Sequence, residues 1–164
     1  MNNIIIEPYT DFHKKEVVDL ILGIQINEFG IPITLAAQPD LEAIPTFYQT
    51  NKGNFWIAKV EDKVIGTISL LDIGNQQGAL RKMFVDKNYR GKELGVGREL
   101  LATLVAWARR SGIREIFLGT TEKFTRAQQF YEKNGFEEIP KQELPRTFPV
   151  MEVDIKFYRL LVNR

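Results

Sequence analysis

The apolar positions change period several times along the chain. Early on, Val17, Val18, Ile21 and Ile24 share one face of a helical pattern, with Lys14, Lys15 and Asp19 mostly turned away from it. A short apolar run at residues 4–6 predicts a strand before that helix, Thr10 or Asp11 offers its N-cap, and Gly30 and Pro32 end it. Residues 31–39 have no clear period, and Pro39-Asp40 introduces a shorter helix predicted over 41–49. From Asn54 the pattern turns to strands. FWIAKV, a tight reversal at Glu61-Asp62 and KVIGTISLLDI read as a β-hairpin, and residues 79–85 add a neighbouring strand. Val96, Leu100, Leu104 and Trp107, widened by Leu101, Val105 and Ala108, predict a helix over 94–108 that stops at Ser111-Gly112, with Trp107 read as core packing. A strand at 115–119 and a helix at 126–134, closed by Gly135, complete a strand–helix alternation of α/β type. The last alternation puts Met151, Val153, Ile155 and Phe157 on one face and Glu152, Asp154 and Lys156 on the other, which predicts a half-buried, antiparallel-paired strand. If that strand lay at an edge, it could pair with a second copy.

Composition narrows the chemistry. The 164 residues fit one domain, and no internal repeat, low-complexity tract or linker divides them. Without cysteine, disulfides, thiolate metal sites and a cysteine nucleophile are excluded; a single histidine cannot build a multi-histidine metal centre, so no metal is expected. His13, beside Lys14 and Lys15, reads as a surface residue. The net charge of +1, with both signs scattered, gives no footprint for nucleic acid or an anionic membrane. No apolar run reaches about 18 residues and the N-terminus lacks a signal-peptide pattern, so a cytoplasmic protein is expected.

The segment RGKELGVGR, residues 90–98, joins a strand to a helix. First-turn amides have no intrahelical acceptor and the helix dipole is positive at that end, so the turn suits an oxyanion. Gly95 and Gly97 allow close approach to those amides, while Lys92 and Arg98 add positive charge. A turn that merely connects strand to helix explains the glycines equally well. Two nucleotide motifs do not fit the same residues: there is no GxxxxGK followed by Ser or Thr, and Gly95-Val96-Gly97 continues with Arg98, Glu99 and the bulky Leu100 where a dinucleotide fingerprint needs a small residue.

The loop resembles motif A of the GCN5-related N-acetyltransferase (GNAT) family: Gln or Arg, two variable residues, Gly, any residue, then Gly or Ala. Lys92, Gly95 and Gly97 occupy those positions, with Lys92 replacing the usual Gln or Arg and Arg90 standing outside the first position. A second segment, Arg126-Ala127, Phe130-Tyr131 and Asn134-Gly135-Phe136, resembles motif B, NxxAxxFYxxxGF, with Phe124 in place of the usual Asn. The two lie in family order, and the resemblance covers essentially the whole chain.

The resemblance implies a mixed, mostly antiparallel α/β sheet of about six to seven strands flanked by about four helices. It implies acetyl-CoA as cosubstrate, bound at Phe84, Val85, Lys92, Glu93, Leu94, Gly95, Val96, Gly97, Arg98, Phe124, Ala127 and Tyr131. It implies transfer of the acetyl group to a primary amine of a small molecule or protein, by direct attack, with Tyr131 as the acid for the leaving thiolate; Phe130, on the amphipathic pattern beside it, reads as core. Glu28, Asp72 and Tyr48 are candidates for the base, and Phe29, Ile31, Phe47 and Tyr48 for a partly apolar acceptor wall. A non-catalytic acyl-CoA-binding module is the alternative. Neither nucleic acid nor membrane is implied as a partner, and a monomer or homodimer is expected.

Overall fold

The computed structural model describes residues 3–91 and 94–162. Seven strands form one sheet in the order β1-β2-β3-β4-β5-β7-β6: β1 Ile5–Pro8, β2 Asn54–Val60, β3 Lys63–Gly74, β4 Gln77–Val85, β5 Glu115–Thr120, β6 Glu137–Ile139 and β7 Lys156–Leu161. All neighbours are antiparallel except β4 and β5. Five α-helices are present among the described residues: α1 Lys14–Leu22, α2 Pro39–Glu42, α3 Ile44–Phe47, α4 Val96–Ser111 and α5 Thr125–Lys133.

The dense apolar run of β2 arises because both of its faces are covered. Trp56, Ala58 and Val60 join the core with Leu100, Leu104 and Ala108 of α4, while Phe55 and Ile57 join Val17 and Ile21 of α1 with Ile44 of α3. Residues alternating along one strand thus feed two cores. Glu61 and Asp62, at φ 51° and 66°, turn β2 into β3, and Asn75 and Gln76, at φ 55° and 61°, turn β3 into β4. Consecutive positive φ values are the geometry of two-residue hairpin turns that match strand twist. α4 ends at Gly112, φ 84°, with the Ile113 amide donating to Ala108 C=O at 2.9 Å, and α5 ends at Gly135, φ 93°, with the Phe136 amide donating to Tyr131 C=O at 3.0 Å. Both are glycine caps that satisfy terminal carbonyls.

Several predicted elements are altered. α1 continues as a π-helical stretch, Gly23–Glu28, so Ile24 still reaches the core. The predicted helix at 41–49 is two short helices, broken at Ala43, where the backbone leaves the helical region two residues before Pro45. α4 begins at Val96 rather than Leu94. Neither Thr10 nor Asp11 caps through its side chain; Asp11 instead accepts from the Tyr9 hydroxyl at 3.0 Å. His13 is buried, not on the surface, because the short 3-10 turn Asp11–His13 swings the ring towards Glu7 and Glu16 at 3.9 and 3.3 Å. Trp107 packs edge-on against Trp56, centroids 5.8 Å apart.

The last strand is the largest revision. It starts at Lys156, and the predicted alternation at 151–155 is a turn in which Val153 and Ile155 are exposed. Local hydrogen bonds win there: Asp154 Oδ2 accepts from the Met151 amide at 3.0 Å, and the Asp154 amide donates to Met151 C=O at 3.0 Å. β6, not predicted, pairs with Phe157–Arg159 of β7 while β5 pairs on the other side, so β7 is not the edge through which two copies could join.

Candidate active site

β4 and β5 are hydrogen-bonded neighbours only from Gln77↔Glu115 to Ala79↔Phe117. Beyond Ala79 β4 pairs with β3 alone, and the sheet splays open. A bulge marks the opening. The register with β3 skips between Ser69↔Arg81 and Thr67↔Phe84, and Lys82 adopts φ 51°. Buried hydroxyls take over at the gap, Thr67 donating to Lys82 C=O at 2.7 Å and Ser69 to Arg81 C=O at 2.6 Å.

At one end of the splay lies the glycine turn. Gly95 has φ 66°, a conformation that favours glycine, and its C=O accepts from the Glu99 amide at 2.9 Å. The amides of Val96, Gly97 and Arg98 precede that bond and stand at the positive end of a 16-residue helix. The Arg98 side chain folds back over the turn: a Cβ built on Gly95 would lie 2.8 Å from its Nη2. Leu94 is exposed beside the turn. Lys92 and Glu93 lie outside the described residues.

The two sequence motifs meet at Met83. A Cβ on Gly97 would contact Phe130 Cε1 at 3.5 Å and Met83 Cε at 3.6 Å, and the Tyr131 hydroxyl reaches Met83 Sδ at 3.8 Å. Tyr131 is 6% exposed, packs edge-on against Phe136 at 5.5 Å, and burial alone pushes its phenol up, so it keeps its proton. Ala127 and Phe130 pack partly buried against the same core.

Phe84 and Val85 end the strand. Phe84 stands 6.3 Å from Phe124, and Phe124 is 4.9 Å from Phe29, the residue after the π-helical stretch. Phe29 is tied down on both sides of the opening. Glu28 holds Arg90 through two hydrogen bonds, one of them Nη2 to Oε1 at 2.8 Å, while Arg90 Nε donates to Val85 C=O at 2.8 Å and Lys123 Nζ donates to Phe29 C=O at 3.4 Å.

The base candidates fare differently. Glu28 is committed to Arg90, whose hydrogen bonds hold its carboxyl below the usual range. Asp72 accepts from the Lys52 and Gly74 amides in the hairpin. Tyr48 is fully buried, donates to Asp40 Oδ2 at 2.6 Å, and burial pushes its phenol up. Three charged residues by the opening are not among the site candidates read from the sequence: Arg81 and Lys82, which the pattern left inside a strand, and Asp154, which it placed on a polar strand face. Lys82 pairs with Asp40 at 3.4 Å, both side chains almost wholly buried. Burial raises Asp154 against the opposing pull of the Met151 amide, Arg81 and Lys82. The available signal was Arg81-Lys82 inside an otherwise apolar strand.

The open parallel pair thus runs beside a helix N-terminus whose first amides have no intrahelical acceptor and a buried tyrosine. The acetyltransferase (GNAT) family model matches residues 24–136. The chain belongs to that family. It is 42% identical to an acetyltransferase of the family from Staphylococcus aureus Mu50, covering 98% of this chain and 100% of that one, with a TM-score of 0.95. An N-acetylaspartate synthetase of Xenopus tropicalis is 34% identical over 108 residues, 63% of this chain but only 38% of that protein. The chain spans about half, or less, of the length of the first curated relatives it matches. The fold is also that of the PaiA N-acetyltransferase of Thermoplasma acidophilum, solved with coenzyme A, at 18% identity, 97% and 99% coverage and a TM-score of 0.73. Among the described residues no group of three or more His, Asp or Glu could hold a metal ion, and no helix is long and apolar enough to cross a membrane.

Proposed function

We propose that the chain is a single-domain N-acetyltransferase that passes an acetyl group from acetyl-CoA to a primary amine by direct attack. The observation that carries this reading is the splay between β4 and β5, flanked by the first-turn amides of α4 at Val96, Gly97 and Arg98 and by Tyr131 against Met83. The residues fit the cosubstrate. The free amides of Val96, Gly97 and Arg98, with the guanidinium of Arg98 above them, suit a pyrophosphate. The backbone of β4 beyond Ala79, released from β5, suits the amide groups of a pantetheine arm.

Bound acetyl-CoA supplies an activated thioester carbonyl. Released backbone amides of β4 supply the donors for the oxyanion that forms when the amine attacks, a contribution of about 3–4 kcal/mol per donor. Tyr131 donates its hydroxyl to the departing thiolate. Burial keeps the phenol protonated, so it can donate a hydrogen bond to the thiolate as it forms, while the same burial makes it a weaker acid and leaves full proton transfer from oxygen to sulfur uphill. Asp154 suits the removal of the ammonium proton better than Glu28, which Arg90 holds in an ion pair, since burial makes the Asp154 carboxylate more basic against the weaker pull of the Met151 amide, Arg81 and Lys82.

We place this activity in the cytoplasm, in a monomer or homodimer, without nucleic acid or membrane as partner. The test is CoA release over a panel of amines. Tyr131→Phe lowers kcat about 10²-fold or more while leaving stability close to wild type, because among the described residues its hydroxyl meets only a thioether. Failure of saturating acetyl-CoA to raise Tm defeats the cosubstrate assignment. CoA binding without turnover of any amine selects the alternative, an acyl-CoA-binding module.

A further inference from the structure

On the side of β4 that faces α3, two cations stand next to each other, and only one of them has a carboxylate partner. Lys82 is paired with Asp40 at 3.4 Å, and Asp40 also accepts from Tyr48. Arg81, half-buried, has no carboxylate within 4.0 Å among the described residues. Its guanidinium lies over the ring of Phe47 at 5.6 Å and that of Tyr48 at 5.9 Å, and its Nη2 stands 3.5 Å from Met151 Sδ. Two aromatic faces and a thioether shield the group from water but satisfy few of its five N–H donors. A guanidinium fixed in a plane and left with free donors matches a carboxylate.

Its place in the fold gives that anion a role. Arg81 lies two residues past Ala79, where β4 parts from β5, and immediately before the Lys82 bulge. Two residues further on, Met83 meets the Tyr131 hydroxyl. Arg81 stands on the face of β4 turned to α3 and Met83 on the face turned to α4, so an acceptor held at the Arg81 fork approaches the opening from the side opposite Met83. Asp154 brings the opposite charge to the same wall. It holds the amide of Met151, whose sulfur lies on Arg81. Cation and carboxylate linked through one residue fit a zwitterion.

We propose that Arg81 binds a carboxylate of the acceptor, so that the amine acetylated is that of an amino acid or another small amine bearing a carboxylate. The proposal rests on the N-acetyltransferase reading and narrows its substrate. Arg81 is then a specificity residue. It acts on which amine is held, not on the thioester.

The experiment compares CoA release from L-amino acids with release from their carboxamides and decarboxylated amines, for wild type, Arg81→Lys and Arg81→Met. Wild type prefers the carboxylate-bearing partner of each productive pair by about 10²-fold in kcat/KM. Arg81→Met removes that preference, mainly through KM, while turnover of the amides and the Tm shift with CoA stay near wild type. Arg81→Lys, which keeps the charge but not the fork, falls between. Equal use of acids and amides by wild type, or equal losses on both in Arg81→Met, overturns the proposal and leaves the acetyltransferase reading standing. If CoA binds but no amine releases it, that reading fails, and calorimetric titration of CoA-saturated protein with L-amino acids decides the proposal separately. Binding lost in Arg81→Met supports it. No amino-acid binding by wild type overturns it.

Discussion

The buried pair of Lys82 and Asp40 exposes the physical reasoning to a direct test. Their side chains are 7% and 5% exposed, 3.4 Å apart, and Asp40 also accepts a hydrogen bond from the Tyr48 hydroxyl at 2.6 Å. Asp40→Asn keeps the shape of the side chain and removes its charge. A buried ammonium deprived of its partner costs about 3–5 kcal/mol, or about 10 °C in Tm for a chain of this length. That is a large part of an ordinary domain's stability. The penalty has an escape route, because Lys82 can lose its proton. Burial already holds Lys82 below its ordinary value, with Asp40 pulling the other way, and removing Asp40 lowers it further. Between the folded value and the unfolded value near 10.5, the unfolded chain binds the extra proton, so stability rises with pH across that window. The gap between Asp40→Asn and wild type is therefore larger at pH 6 than at pH 9. Urea unfolding followed by circular dichroism measures it. Adding Lys82→Met to Asp40→Asn removes the stranded charge and recovers at least about 2 kcal/mol, a coupling that a double-mutant cycle reads directly. If Asp40→Asn stays within about 1 kcal/mol of wild type at every pH, or if Lys82→Met recovers nothing, the two residues are not the coupled buried pair described here.

Two other outcomes follow from the site's frame. Glu28→Gln releases Arg90 and costs about 0.5–1 kcal/mol at pH 7 and low salt. Arg90 lowers the folded-state value of Glu28, so this stability is present above the unfolded value near 4.5 and is lost as pH falls through the folded one; variant and wild type converge in acid unfolding. Gly95→Ala forces a side chain into φ 66° against the Arg98 guanidinium and costs about 1–2 kcal/mol, whereas Gly97→Ala meets only ordinary contacts and leaves stability unchanged or up to about 0.5 kcal/mol higher. Urea midpoints that order these two glycines the other way would contradict the turn geometry.

Local physics made much of this protein readable in its sequence. A positive φ at Gly95, Gly112 and Gly135 is a property of single residues, and each sits at a helix boundary where the chain has a glycine. The apolar stripe of α4 and the doubly buried β2 follow from side-chain period, which requires only that a core exist. The two motifs that carry the family resemblance are contiguous strings, so their spacing survives without any knowledge of the fold. Tertiary structure decided what depends on partners distant in sequence. The bulge at Lys82 exists against β3, with Thr67 and Ser69 supplying hydroxyls across it, and nothing within residues 79–85 specifies it. The alternation at 151–155 looked like a strand because period alone cannot weigh the Met151–Asp154 hydrogen bonds against a ladder. His13 turned inward because Glu7 and Glu16 converge on it from a strand and a helix. Arg81 became legible only when Phe47, Tyr48 and Met151, from 34 residues before it to 70 after, were seen to enclose it with no carboxylate in ion-pair contact among the described residues.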